Sequence, residues 1–244
     1  MILLFTDFGS ADVYVGQIKL ALAIHAPDAH VVDLLHEVPN FDVHAGAHLL
    51  AALHERIPES SVTMAIVDPG VGSVRQALVV MADGRWYVGP DNGLLSVVLS
   101  RARDCRIWQI LWSSSDISNS FHGRDLFAPI AAMLDKKEWW TDALIPVTRL
   151  NVMLDSTELP QVIYIDHYGN AMTGIPAADI KSSNVLRVGN HKLRYARVFS
   201  DVAEGESFWY PNSIGLVEIA MNCGHAAQAL MINVGDEVDW LPRN

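Results

Sequence analysis

The sequence predicts an α/β fold in its N-terminal part, a mostly parallel sheet with helices on both faces, followed by a C-terminal all-β barrel-like domain. Up to about residue 134, short apolar runs alternate with helical patterns, the signature of βαβ units whose sheet is covered on both sides. From Lys136-Lys137-Glu138 to Pro160 the chain turns polar and proline-containing. Beyond it come only short alternating runs separated by turn residues, which read as a small barrel or sandwich. The domains are accordingly drawn as residues 1–150 and 151–244.

Each element follows from its local pattern. Ile2–Phe5 is a buried-strand run that stops at Thr6-Asp7-Phe8-Gly9-Ser10, and a helix follows over about Asp12–His25. Val31–Leu35 is the next strand and Asp42–Arg56 the next helix. Ser61–Val67 is a third strand, ending on Asp68-Pro69-Gly70-Val71-Gly72. Ala77–Met81 and Trp86–Val88 are extended, and a Gly-Pro-Asp-Asn-Gly turn then leads into a helix from Leu94. Ile107–Leu111 and Gly123–Leu134 are the last strand and helix of this half. In the second half Val162–Asp166, Val185–Val188, Leu193–Phe199, Leu216–Ala220 and Val238–Leu241 are strand-like. No repeat or low-complexity tract interrupts them.

Composition narrows what such a chain does. Of 244 residues, 50% are hydrophobic and only 18% charged, enough to bury roughly 70–75% of the unfolded surface. Seventeen Lys and Arg face 28 Asp and Glu, a formal charge of −11. That balance argues against nucleic acid or an anionic membrane as partner, because both reward clustered cations. No apolar run approaches the ~20 residues needed to span a bilayer, and the start, MILLFTDFGS, lacks the basic region of a signal peptide. Cys105 and Cys223 lie far apart with no metal-ligand spacing, as reduced residues of a cytoplasmic protein do.

Three predicted strands end on an acid: Asp7, Asp33 and Asp68. In open α/β sheets ligands bind beyond the carboxyl ends of strands, where a carboxylate accepts hydrogen bonds from hydroxyls or amines. Helix capping or loop solvation is the better account of Asp33. At Asp7 and Asp68, nearby Gly9, Gly70 and Gly72 let the backbone approach a ligand. No G-x-G-x-x-G and no phosphate-loop lysine is present, which disfavours dinucleotides and nucleoside triphosphates. Asp68 and Arg75 span a glycine-rich turn and can fold back as a charge-assisted pair, as a structural turn or as a site. His122, in Ser120-Phe121-His122-Gly123-Arg124-Asp125, is either a solvated loop residue or a titrating group near neutrality. His44 and His48 have a helical ligand spacing to which Asp42 or His54 could add, but no H-E-x-x-H or third-ligand pattern supports it, and no metal is expected. A G-x-S-x-G nucleophile elbow is absent.

Together Thr6-Asp7-Phe8-Gly9, Val67-Asp68-Pro69-Gly70-Val71-Gly72 with Arg75, and Phe121-His122-Gly123-Arg124-Asp125 resemble the S-adenosylmethionine (SAM) hydroxide adenosyltransferases, relatives of the SAM-dependent fluorinase and chlorinase. The resemblance continues through Asp166-His167-Tyr168-Gly169-Asn170 and Asn212-Ser213-Ile214-Gly215 to Glu218-Ile219-Ala220, and so covers nearly the whole chain in order. It implies hydrolysis of SAM to adenosine and L-methionine without a cofactor, in a homotrimer with active sites between subunits. It also implies an Asp–Arg–His triad that separates water-using members from halogenases, and Asp68, Arg75 and His122 occupy those positions. Gly174, His225 and Tyr168 depart from the common Asn, Asn and Phe, which puts details of the methionine and adenine pockets in question.

The chemistry fits these residue types. Sulfonium is already a good leaving group, so what the protein must supply is a water held in line with the ribose C5′–S bond. Arg75, oriented by Asp68, would hold that water and stabilise hydroxide character. His122 would add a hydrogen bond, and either His122 or Asp68 would take the proton. By the resemblance Asp7 would hold the ribose hydroxyls, with Asp12 and Tyr14 near ribose or the methionine amine. Asp166 would meet the methionine ammonium and Ser213 its carboxylate. Phe41 would stack on adenine, Asn170 would bond its edge, and Met221 and Asn222 would offer it backbone groups. Core packing is an equal account of Phe41 and Met221, and Glu218 would be a support. The rivals are a SAM halogenase, disfavoured because a carboxylate at position 68 repels a halide, a SAM- or adenosine-binding sensor without turnover, and a metal hydrolase built on the histidines.

Overall fold

The computed structural model describes residues 1–112, 117–138 and 142–241. By their contacts they divide into two compact units, the first ending at Ser156 and the second beginning at Thr157.

The first unit runs β1 (Ile2–Thr6), α1 (Val13–His25), β2 (Val31–Leu35), α2 (Val43–Leu53), β3 (Val62–Ile66), β4 (Ala77–Ala82), β5 (Arg85–Pro90), α3 (Ser96–Arg101), β6 (Cys105–Ile110), α4 (Ala128–Asp135) and β7 (Leu144–Val147). The sheet order is β2-β1-β3-β5-β4-β6-β7. β2, β1, β3 and β5 are parallel, whereas β4 runs antiparallel to both β5 and β6, and β7 antiparallel to β6. The mostly parallel sheet expected from the sequence is therefore present, with an antiparallel flank.

Alternation across the strands sends side chains to two covered faces. Ile2, Leu4, Val62, Met64 and Ile66 share one core with Ile18 and Leu22 of α1 and the buried length of α4. On the other face α2 packs so closely that a Cβ on Gly46 would lie 3.0 Å from Leu94 and 3.5 Å from Val67. The unit extends past residue 150 because the following segment is tied back to it. Asp91 accepts from the Asn151 side chain (2.7 Å), His48 Nε2 donates to Asp155 O (3.1 Å), and Arg101 donates to Ser156 O (2.9 Å).

The second unit holds β8 (Leu159–Ile165), β9 (Ala171–Pro176), β10 (Leu186–Val188), β11 (His191–Leu193), β12 (Ser207–Pro211), β13 (Leu216–Met221), α5 (Ala226–Leu230) and β14 (Val238–Trp240). They form a four-stranded antiparallel sheet, β12-β13-β9-β8, and a three-stranded one, β11-β10-β14. The barrel-like expectation is corrected to two sheets. Among the described residues only the single bridges Gln161–Glu237 and Tyr195–Trp209 join them, so no continuous ladder closes a barrel. Their inner faces bury Val162, Ile175, Leu186, Val188, Trp209, Val217, Ile219 and Val238 in one core. β9 and β12 were not anticipated from the sequence. Of the strand expected over Leu193–Phe199 only Leu193 belongs to a strand, as the last residue of β11, with a single bridge at Tyr195.

Candidate active site

The chain passes from β1 to β2 on one side and from β2 to β3 on the other, so the sheet order reverses between β1 and β3. A crevice at the carboxyl ends of strands at such a point is the usual ligand site of an open α/β sheet. There Asp7 follows β1, Asp68 follows β3, and a cavity of about 420 Å³ opens between them. Asp12, Tyr14, Phe41 and His122 also line it.

Asp68 and Arg75 pair side on. Arg75 Nε donates to Asp68 Oδ1 (2.9 Å) and Arg75 Nη2 to Asp68 Oδ2. Both side chains are nearly buried, at 5% and 10% exposure, where such a fork is worth more than on the surface. Arg75 Nη2 also donates to His122 Nδ1 (3.0 Å). A guanidinium has no acceptor, so His122 Nδ1 is the acceptor and the ring proton of the neutral imidazole sits on Nε2. Burial, and then the adjacent Arg75 charge, hold the His122 pKa below the usual histidine value. The loops bearing these groups are pressed together at Gly72, which has φ +78° and stands where a Cβ would come within 2.3 Å of Asn119 O.

Burial pushes the Asp7 carboxyl up. Its Oδ2 accepts from the backbone N–H of Phe41 (3.0 Å), whose φ of 64° turns the ring outward. Phe41 is 72% exposed, so core packing does not account for it. Asp12 caps α1 through Val13 N (2.6 Å) while facing the cavity. Tyr14 stands edge-on to Phe121 at 5.2 Å, and Phe8 to the same ring at 5.9 Å. Reading the sequence missed Phe8 and Phe121 as cavity residues, because isolated aromatics beside a glycine carry no periodic signal. Asp33 neither caps a helix nor faces the cavity: it lies in β2, paired with Lys19 (2.6 Å) and His36 (3.1 Å).

In the second unit a cavity of about 530 Å³ gathers Asp166, Asn170 and Met221 with Tyr168, Phe199 and Tyr210. Asp166 accepts from the backbone N–H groups of Tyr168 and Asn170 (2.9 and 2.8 Å) and from Asn170 Nδ2 (3.0 Å). Glu218 is buried at 2% exposure, and its pKa is raised by that burial. It accepts from Tyr210 Oη (2.5 Å) and Asn212 Nδ2 (2.7 Å), and so anchors the turn that carries Ser213. Ser213 is exposed in that turn. Asn222 has its N–H donated to Glu206 O (3.1 Å) and its Nδ2 to Val202 O (2.9 Å), so it braces the β12–β13 end. Phe199 and Tyr210 also escaped the sequence reading, because aromatics in short alternating runs look like ordinary core.

The three departures acquire physical meanings. Gly174 lies inside β9, where a Cβ would come within 2.5 Å of Leu159 Cβ, so it concerns strand packing. His225 caps α5, its Nδ1 accepting from Gln228 N (3.1 Å), a role that Asn also fills. Tyr168 is largely exposed at the cavity.

Several residues that suggested a metal have other partners. His48 binds Asp155 O, His54 Nδ1 meets Tyr87 Oη (2.7 Å), and Asp42 caps α2 through Ala45 N (2.9 Å). No group of three metal-ligating side chains occurs among the described residues. A larger cleft of about 870 Å³ along Pro160, Arg187, Gly235 and Asp239 also has Asp236 and Glu237 in its wall, and its Arg187–Asp239 pair is exposed and offers little chemistry.

Residues 2–143 match the SAM hydroxide adenosyltransferase N-terminal domain and residues 160–239 the C-terminal domain. The chain belongs to the SAM hydroxide adenosyltransferase family. It is 36% identical to an (R)-S-adenosyl-L-methionine hydrolase of Thermus thermophilus over 97% of both chains. A fluorinase of Actinopolyspora mzabensis is 25% identical over 98% of this chain and 96% of its own. Among solved structures, an uncharacterised conserved protein from Thermotoga maritima superposes with a TM-score of 0.88 at 34% identity, over 99% of this chain and 100% of that one. In this adenosyltransferase the Asp68–Arg75–His122 cluster is thus the most developed constellation of the first unit. Both cysteines are exposed and unpaired, and no helix among the described residues is long and apolar enough to cross a membrane.

Proposed function

We propose that the chain hydrolyses SAM to adenosine and L-methionine by in-line attack of water on the ribose C5′. The observation that carries this reading is the buried Asp68–Arg75 fork bonded to a neutral His122 at the sheet's switch point, beside Asp7. A water oxygen bonds to C5′ as the C5′–S bond breaks. The bonding pair leaves with sulfur, which becomes the neutral thioether of methionine, and one water proton must be accepted. No acid is needed at sulfur, and no cofactor or metal enters the scheme.

The tautomer divides the work. His122 Nδ1 is occupied by Arg75, so Nε2–H donates to the water oxygen and holds it, while Arg75 stabilises the hydroxide character that develops. Asp68 is the proton acceptor, since each of its oxygens keeps a second lone pair beyond the Arg75 bonds. Asp7 takes the ribose hydroxyls, with Asp12 and Tyr14 beside it and Phe41 on the adenine. Asp166, Ser213, Asn170 and Met221 hold methionine and adenine from the second unit, backed by Glu218 and Asn222. The protein acts in the cytoplasm, where SAM is found.

The direct test is chromatography of purified protein incubated with SAM and chelator, without halide. Equal adenosine and methionine support the reading. 5′-Chloroadenosine on adding chloride would make it a halogenase, and retained SAM with no product a sensor.

A pH profile tests the role of His122. Its pKa lies below the ordinary 6.5, so the imidazole is neutral, and the donor geometry intact, above that value. Protonation puts a hydrogen on Nδ1 facing Arg75 and breaks the contact. kcat/KM is therefore expected to be level above pH 6.5 and to fall on the acid side. His122→Gln, which keeps a donor and cannot titrate, should lose that limb while retaining part of the rate. An unchanged limb would remove His122 from the mechanism.

The resemblance also implies a homotrimer with active sites between subunits, and we read the second unit of one protomer as completing the first-unit site of a neighbour. Arg75→Ala and Asp166→Ala chains, each inactive alone, should then recover activity when refolded together, up to about a quarter of the wild-type rate by random mixing. No recovery would place both halves of the site in one chain.

A further inference from the structure

Arg124 and Asp125 follow His122 after Gly123, yet the proposed reaction gives them no task. They sit in a π turn, Gly123–Phe127, where Ala128 N–H reaches back to Gly123 O. Such turns are uncommon and cluster at functional sites. Asp125 Oδ2 accepts from Ser118 N (2.9 Å), and Asp125 N donates to Phe121 O (3.3 Å), so one residue closes both ends of the Ser118–Phe121 loop. Arg124 grips the Asp125 carboxylate through Nε (2.5 Å) and Nη2 (2.8 Å). Its remaining Nη1 donates to Gln17 of α1 (2.8 Å). The guanidinium also lies over the Phe121 ring at 5.4 Å, and that ring bears on Phe8 and Tyr14 of the cavity wall.

We propose that Arg124 and Asp125 are positioning residues, a clamp that fixes the Ser118–Phe121 loop to α1 and so sets where His122 meets Arg75 and the reacting water. The loop is held from two directions, by Gly72 against Asn119 on one side and by Asp125 on the other. An ordinary surface ion pair contributes little. This one differs because each partner also bonds an element that carries cavity residues. Three charged groups bear on His122: Arg75, Asp68 and Asp125.

The inference rests on the hydrolase reading for its kinetic part only. Wild type, Asp125→Asn and Arg124→Ala would be compared in two ways: by kcat and KM for SAM, and by NMR titration of the His122 ring in the free protein, assigned with His122→Gln. Asp125→Asn keeps an acceptor for Ser118 but loses the charge. It should lower kcat about 10–100-fold, with KM changed less than about threefold, and move the His122 midpoint down by about half a pH unit. Arg124→Ala should also lower kcat, but move the midpoint up, because Asp125 is left uncompensated. A merely structural ion pair would lower thermal stability and leave kcat unchanged at temperatures where the variants are folded, since the midpoint shifts alone report only that the two charges lie near His122. Should either variant fail to fold, Arg124→Lys, which keeps the charge but not the fork, takes its place with a smaller loss of kcat. Unchanged kcat and unchanged midpoints would overturn the clamp. Opposed midpoint shifts in the two variants, beside a wild type that leaves SAM intact, would uphold the coupling of Arg124 and Asp125 to His122 and refute the hydrolase.

Discussion

Arg75→Ala is expected to lower SAM turnover by about 10³-fold while changing SAM affinity only a few-fold. Loss of one preorganised donor to a developing oxyanion typically costs 10²–10³. Here the same side chain also holds Asp68 through two bonds and His122 through a third. All three groups lose their geometry at once, so their contributions should not add. Asp68→Ala/Arg75→Ala is expected to be no slower than the slower single variant, as happens when catalytic residues act as a unit. Stopped-assay adenosine formation and calorimetric SAM binding separate the two effects. An Arg75→Ala protein that lost affinity in proportion to rate would show that Arg75 binds substrate and does nothing for the transition state. Arg75→Lys should rescue little, because an ammonium cannot span both Asp68 oxygens and reach His122 as well.

The fold of the first unit could be read from its sequence where burial forces a simple pattern. β1 and β3 are buried along their whole length and appear as largely apolar runs that lead into Asp7 and Asp68. β7 could not be read, because an edge strand with a single neighbour tolerates Pro146 and needs few apolar residues. The β4–β5 hairpin carried an unused signal. Its turn is Asp83-Gly84, with φ of 46° and 77°, the residue pair that a tight two-residue hairpin favours. β9 is interrupted by Gly174, which the strand requires because Leu159 leaves no space for a side chain.

Site residues followed the same rule. Asp68, Arg75 and His122 lie in short motifs with distinctive glycines, and the structure brings all three together. What the motifs did not reveal was direction. That His122 accepts from Arg75, and thereby presents Nε2–H, depends on the path of two loops separated by more than forty residues. The role of Glu218 was equally hidden, since its partners Tyr210 and Asn212 reach it only across a hairpin.

Gly72→Ala should be nearly as damaging as the loss of Arg75, although it removes no functional group. The added Cβ would stand 2.3 Å from a backbone oxygen, that of Asn119, and no flexible side chain is available to yield. The residue must also keep φ near +78°, a conformation costly for alanine. Together these effects are expected to cost about 2–4 kcal/mol of stability. The clash can be relieved only by separating the Asp68–Arg75 loop from the loop before His122, which lengthens the Arg75–His122 bond. Turnover should therefore fall about 10²-fold even at temperatures where the protein is fully folded. Gly70→Ala is the matched control: its Cβ would meet nothing closer than the Ser73 hydroxyl at 3.4 Å, and no positive φ is required there. Calorimetric melting of both variants, alongside adenosine formation, decides the matter. If Gly72→Ala melted lower but turned over like wild type, the contact between the loops would serve stability alone, and His122 would owe its position to the Arg124–Asp125 side.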